Sequence, residues 1–248
     1  MSVTVRVLSV SDLHCRKNLY KDLSSAVKDH QPDIVAVVGD FLDRTGAGDG
    51  LPVAECARQL AGLKCQDVLF VRGNHEAGNW WEFADAWKSS GRALHLLNGS
   101  AFVRGPLVVL GFPCLMGCTE DYFEPVASDP SEWISPLLAR RGAAIRTLWL
   151  MHEPPRGTPL SEKVGPLSGN QEWTDAIERY APRLVVFGHD HATPLRSGRW
   201  KCALGDTTCV NVGQRQNGPL RFCIIDLGFP ENSLTLTCGG NTIPAVTP

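Results

Sequence analysis

No apolar run in the chain approaches the ~18 consecutive residues of a membrane helix, so no spanning segment is expected. Nor is there a surplus of positive charge: 24 Lys and Arg stand against 26 Asp and Glu, a net charge of −2. The overall basic field that would hold a nucleic acid is missing, although a local basic groove would not show in the total. Internal repeats, low-complexity segments and Gly/Ser linkers are also missing. Cysteines are plentiful but unpaired in pattern: there are nine, an odd number at irregular spacings, and the nearest approach to a zinc pair, Cys114 and Cys118, has no counterpart downstream. Reduced thiols in a reducing compartment are therefore expected, with Cys65, Cys202 and Cys223 where small buried residues would fit. The opening "MSVTVRV" enters a strand-like pattern without the layout of a signal peptide, so the expected location is cytoplasmic.

What remains is ordinary globular composition, 43% hydrophobic and 20% charged over 248 residues. That length suits one α/β domain with a large core spanning 1–248, ending in a loosely ordered tail at 239–248. The pattern alternates. Residues 3–10, "DIVAVVG" (33–39) and "DVLFVRG" (67–73) read as buried strands; residues 18–30, 51–63 after Pro52, and 79–90 read as helices. Short strands crowd residues 92–112, then strand 146–151, helix 171–181 and strand 183–188 resume the alternation, and 199–238 is mostly short strands. Such alternation points to a layered α/β fold with a largely parallel sheet at its start. In sheets of that kind ligands sit beyond the carboxyl ends of the strands.

Each strand exit carries chemistry. After the first comes Asp12-Leu13-His14; after the second, "GDFLDR" with Asp40, Asp43 and Arg44; after the third, "GNHE" with Asn74, His75 and Glu76. His152 follows "RTLWLM", and "GHDH" with His189 and His191 follows "RLVVF". Five of the seven histidines lie in these exits, leaving His30 and His95 as expected structural residues. Imidazole, carboxylate and amide oxygen together suit divalent transition metals such as Mn, Fe, Zn or Ni. The set is too large for one ion, and a carboxylate can bridge two. With no Cys in it, an all-thiolate structural zinc site is not expected.

The ordered set D-x-H, G-D-x-x-D-R, G-N-H-E, a lone His and G-H-x-H resembles the calcineurin-like metallophosphoesterase superfamily, over roughly residues 7–192. The resemblance implies a four-layer α/β/β/α sandwich with a dinuclear metal centre at the strand C-terminal ends. It assigns Asp12, His14 and His191 to one metal, Asn74, His152 and His189 to the other, and Asp40 as the bridge. His75 is implied as the catalytic residue over the scissile phosphate, oriented by Asp43. The implied reaction is in-line attack on a phosphoester by a hydroxide that the two cations generate near neutral pH, with Mn favoured in vitro. Arg44 and Arg72 are candidate phosphate contacts. "VRGNHE" is also similar to the protein serine/threonine phosphatases, but "CRKN" after His14 and the tandem "GHDH" depart from their pattern.

Plainer readings exist for single residues: Asp12 or Asp40 as a helix N-cap, Asn74 as a residue tolerating a left-handed turn. Glu76 and Asp190 are expected to support the site or be solvated rather than to bind metal, and Cys15 to point away from it. Trp80 and Trp81 follow the catalytic loop, and one of them, with Trp80 the candidate, could stack on a nucleobase or aromatic leaving group. Residues 114–133, the longest irregular stretch and rich in acids, are a candidate to shape the pocket; 155–171 reads equally as lining the site or as a plain surface loop. The compact chain, the Trp pair and the missing basic stripe lean towards a phosphodiesterase on a small nucleotide-like substrate. A phosphomonoesterase or a nuclease of the same superfamily is the alternative, with nucleic acid the less favoured substrate. A non-catalytic protein-binding scaffold is the alternative from another class. The sequence leaves the oligomeric state open.

Overall fold

The computed structural model describes residues 3–43, 50–76, 78–112, 114, 131–139, 147–162, 165, 168–215, 218–230 and 233–240. The first half runs β1 (Val3–Val10), α1 (Lys17–His30), β2 (Ile34–Val38), α2 (Val53–Ala61), β3 (Asp67–Val71), α3 (Trp80–Lys88), β4 (His95–Leu96), β5 (Ser100–Arg104) and β6 (Leu107–Phe112). The second runs α4 (Ser131–Ala139), β7 (Leu148–Met151), α5 (Gln171–Tyr180), β8 (Leu184–Phe187), α6 (Ala192–Ser197), β9 (Lys201–Leu204), β10 (Thr207–Asn211), β11 (Phe222–Phe229) and β12 (Ser233–Gly239).

Two six-stranded sheets result, ordered β12-β11-β1-β2-β3-β4 and β5-β6-β7-β8-β10-β9. The central pairs β1–β2, β2–β3, β6–β7, β7–β8 and β8–β10 are parallel, while β11, β12, β5 and β9 add antiparallel edges. The apolar alternation along the strands explains the layering, because successive side chains leave opposite faces. In β1, Val5 and Val7 join Ile34, Ala36, Leu69, Val109, Leu150 and Val186 in a core between the sheets. Leu8 and Val10 point the other way, into a core shared with α1, α2 and α3. The far face of the second sheet buries Val108, Leu110, Trp149, Val185 and Phe187 with Ile134 of α4 and Trp173 and Ile177 of α5. The order is therefore α/β/β/α, and strands covered on both faces read as unbroken apolar runs.

The expected helices and strands are all present, with ends shifted by a residue or two. Two helices were not legible. The six-residue α6 is too short to show a period, and α4 carries Pro136 internally. The expected loose tail begins inside β12, where Gly239 pairs with Phe222; residues 241–248 lie outside the described residues. The eight described cysteines are free thiols, and Cys202 faces Cys209, and Cys223 faces Cys238, across adjacent strands. Among the described residues no helix is long and apolar enough to cross a membrane.

Candidate metal centre

The parallel strands of both sheets deliver their carboxyl ends to one place. The loops after β1 and β2 run side by side, with backbone N–H groups of Asp12, His14 and Cys15 donating to the carbonyls of Gly39, Asp40 and Phe41 at 3.0, 2.9 and 3.0 Å. Holding the side chains inward requires an unusual backbone. Asp12, His14, Cys15, Asp40 and His189 all have positive φ; among the described non-glycine residues only Gln31 and Ala181, the C-caps of α1 and α5, share it. Each such residue costs of order 1 kcal/mol, and Asp and His tolerate the region better than most. Glycine supplies the close approaches: a Cβ at Gly73 would strike the Asp40 carboxylate and His152 Nε2, and one at Gly188 would strike Ser11 Oγ and Asp12 Oδ2.

Asp40 stands at the middle. Its Oδ1 accepts from the His75 backbone N–H at 2.9 Å. Its Oδ2 lies 3.2 Å from His152 Nε2, 3.9 Å from His75 Nε2 and 4.0 Å from His14 Nε2. On one side Asp12 Oδ1 meets His191 Nε2 at 2.9 Å. On the other, Asn74 Oδ1 lies 3.2 Å from His152 Nε2 and 3.1 Å from His189 Nδ1. Three groups of donor atoms could each hold an ion: Asp12, His14 and His191; Asp40, His152 and His189; and His14, Asp40 and His75.

The donor chemistry fits divalent cations. His152 Nδ1 lies 3.0 Å from the Val38 carbonyl, which can only accept, so Nδ1 carries the proton. Nε2 of the neutral ring is then a lone pair, yet it faces two more acceptors, Asn74 Oδ1 and Asp40 Oδ2. Three acceptors confronting one another need a positive charge between them, which a metal supplies. Without one, a proton is drawn in. Burial alone would lower the His152 pKa, but the Asp40 and Asp12 carboxylates outweigh it and push it up to about 10. Burial acts against ionised Asp12, but His191, His152 and His14 outweigh it and hold that carboxyl well below its usual range. Asp40 is lowered in the same way, against its burial, chiefly by His152. His191 is raised by Asp12 against its burial, whereas burial lowers His14 and His189.

Beyond the donors, His75 Nδ1 lies 3.7 Å from Asp43 Oδ1, and Asn79 Nδ2 donates to the Asp43 carbonyl at 2.7 Å. Glu76 is wholly buried, with Oε2 accepting from Asp40 N at 3.0 Å and Gly73 N at 2.6 Å, and Oε1 from Leu42 N at 3.0 Å. It ties the β2 and β3 loops together. Burial and neighbouring Asp40 push its pKa up to about 8 despite these donors. Asp190 does the same job after β8, accepting from the N–H groups of Glu162, Ala192 and Thr193 at 2.8, 3.0 and 2.8 Å. Through it the 155–171 stretch is fastened to the site. The Ser161 hydroxyl of that stretch donates to the Pro155 carbonyl at 3.1 Å.

One expectation needs correction. Trp80 is 5% exposed and packs on Phe83 in the core; Trp81 is the open ring, at 58%. The first helical turn puts the two adjacent residues on different faces, so Trp80 does not offer a stacking surface. Arg72 is also largely buried and lies over the Trp80 ring, 5.7 Å from its centroid. Cys15 points away from the site into the helix-side core, as expected, although the left-handed backbone at His14 and Cys15, not extended-chain alternation, turns it there. His30 packs on Phe222 and His95 on Phe102, away from the centre. Arg44 and most of 114–133 lie outside the described residues. The sequence reading overlooked Lys17 and Lys21, which with Asn18 line a cavity of about 620 Å³ opening beside His14 and Asp43. Their spacing of four on a helix beginning three residues after His14 is the signal that was there to read.

The calcineurin-like phosphoesterase family model matches residues 5–193, taking in every one of these exits. The chain belongs to the calcineurin-like phosphoesterase family. It is thus a metallophosphoesterase, in a family that is dinuclear and metal-dependent. Among solved structures it is similar to TT1561 of Thermus thermophilus, at 17% identity and TM-score 0.67, covering 96% of this chain and 99% of that one. A dimetal phosphatase from Danio rerio matches at 12% identity and TM-score 0.61, over 94% and 98% of the two chains. An archaeal phosphodiesterase matches at 12% and 0.53, over 95% and 100%. At these identities the likeness is one of fold. No curated protein matches in sequence.

Proposed function

We propose that this chain hydrolyses a small phosphoester, with a phosphodiester of nucleotide-like size preferred. The observation that carries the reading is the convergence of Asp12, His14, Asn74, His152, His189 and His191 on the loops around Asp40, in the donor groups described above. Asp12, His14 and His191 would hold one cation and Asn74, His152 and His189 the other, with Asp40 between them. Two bound divalent cations supply Lewis acidity that makes hydroxide available near neutral pH and neutralises charge on the phosphoryl oxygens. Manganese is the expected metal in vitro.

The chain's own residues do the rest. His75, beside Asp40 and open to solvent, protonates the leaving oxygen; Asp43 beyond Nδ1 orients its ring. The backbone bond from His75 to Asp40 Oδ1 locks that imidazole's position to the metal bridge. The diester preference rests on charge. Arg16 donates to the carbonyls of Asp12 and Arg215 at 3.0 and 2.5 Å, and Arg72 lies over Trp80. The Arg16 guanidinium is directed to those carbonyls rather than presenting the open fork that a phosphomonoester dianion rewards. The exposed Trp81 is the remaining stacking candidate for an aromatic half of the substrate.

Hydrolysis of bis-p-nitrophenyl phosphate against p-nitrophenyl phosphate, with Mn²⁺ and with EDTA, tests the reading. Metal-dependent turnover favouring the diester is expected. A monoester preference would overturn the diester choice. No turnover of either by protein holding two metals would favour a binding scaffold.

A further inference from the structure

We infer that the cavity at the start of α1 receives a second anionic group, phosphate or carboxylate, carried on the leaving half of the substrate. The inference rests on the proposed hydrolysis and names its substrate class. The cavity is about 620 Å³ and is lined by His14, Arg16, Lys17, Asn18, Lys21 and Asp43 among others. That volume falls within the usual range for small-molecule sites, roughly 300–1,000 Å³.

Its position relative to the chemistry gives the direction. Asp43 is the partner of His75 Nδ1 at 3.7 Å, and the His14 and His75 rings lie 4.6 Å apart. The cavity therefore opens from the flank of the centre on which His75 stands. A group that takes its proton from His75 departs into that space.

The charges there favour an anion. Arg16, Lys17 and Lys21 face a single carboxylate, Asp43, among these lining residues. Arg16 directs its guanidinium to backbone carbonyls and adds to the positive field. Lys17 and Lys21 are exposed, one helical turn apart on the same face of α1, and among the described residues neither has an acidic partner. A lysine pair on a helix usually marks a solvated face. Here both line the cavity that a metal-ligand candidate also lines, and an ammonium is the compact, mobile point charge that suits a phosphate or carboxylate.

The test uses the ester class the enzyme prefers, prepared with p-nitrophenol and with a carboxynitrophenol as leaving group. The readout is the ratio of the two kcat/KM values within each variant, so that damage to folding or metal content cancels. Wild-type protein should favour the carboxylate-bearing ester by about tenfold, as expected for two partly screened charge contacts. The preference should shrink as salt rises. Lys17→Ala with Lys21→Ala should bring the ratio to about one. Lys28→Ala, in the last turn of the same helix, should leave it at the wild-type value. A wild-type ratio of one or below overturns the inference. So does a ratio that survives the double substitution, or one that Lys28→Ala moves equally. Failure of the underlying reading shows separately, as absence of metal-dependent turnover of the p-nitrophenol ester by wild-type protein, and takes the inference down with it.

Discussion

The two walls of the centre are built differently. The side chains of Asp12, Asp40 and His152 are 0, 4 and 0% exposed, whereas those of His14, His75 and His191 are 18, 31 and 32% exposed. The floor is fixed by backbone bonds, by positive φ at Asp12 and Asp40, and by Glu76 bracing the two loops from below. The rim has room for solvent and opens onto the lysine-lined cavity. Floor residues set where charge sits before anything binds; rim residues meet what arrives. Removing a floor residue should therefore cost the metals and everything after them, while removing the rim residue His75 should cost only the reaction.

The largest break should come at Asp40. Asp40→Asn removes the carboxylate charge facing three imidazoles and is expected to lower metal content and to drop turnover to the EDTA-treated level, checked by elemental analysis of the same sample. Next, His75→Ala should keep both metals and lose about 10²–10⁴ in kcat, the range of a general acid. Asp43→Asn should lose less, about 10–100-fold, as for a residue that orients another. Full metal content with wild-type kcat in His75→Ala would erase the distinction between rim and floor.

Glu76→Gln sharpens the comparison without touching a donor. An amide places an N–H₂ against at least one of the three backbone N–H groups that the carboxylate now satisfies. The expected cost is about 1–3 kcal/mol of stability, read by urea denaturation of metal-free protein above the Glu76 pKa of about 8, where the carboxylate is ionised. A neutral result would mean that Glu76 does not brace the floor.

The smallest effect is a pH dependence of opposite sign in the two forms. In metal-free protein Glu76, His152 and His191 have raised pKa values. Their stabilisation is fully present below their ordinary values and is lost as pH rises through about 8 for Glu76 and about 10 for His152. Asp12 and Asp40 are lowered, so theirs is present above the usual carboxylate range and lost in acid. Metal-free protein should thus be most stable in mild acid and weaken towards alkali. Metal needs the deprotonated donors, so the rise in Tm on adding Mn²⁺ should grow as pH rises from the ordinary histidine range towards about 10, where His152 gives up its proton. A metal-induced rise that is flat with pH would contradict the donor assignment.

How much of this the sequence displayed follows from locality. The floor was legible because buried parallel strands make unbroken apolar runs, and polar residues at their ends have to be explained. The same runs pointed to a layered α/β fold with a largely parallel first sheet; the four-layer order was implied by the family resemblance. The bracing by Glu76 and Asp190 was only half visible: composition marked them as non-ligands, but which N–H groups they hold depends on two loops meeting in space. Trp80 and Trp81 were indistinguishable in sequence because the helical turn that separates their faces begins at Trp80. Lys17 and Lys21 went unread because nothing local marks a lysine pair on a helix; only the cavity places them beside His14.

The most direct test of the account is a joint titration of metal and turnover. Metal-free protein is titrated with Mn²⁺, and bound metal per chain and hydrolysis of bis-p-nitrophenyl phosphate are read on the same samples. The account predicts two ions per chain in the wild type, turnover that reaches its full value only with both bound, and the same two ions without turnover in His75→Ala. Hydrolysis that persists in metal-free protein, or saturation at a single ion with full activity, would contradict it.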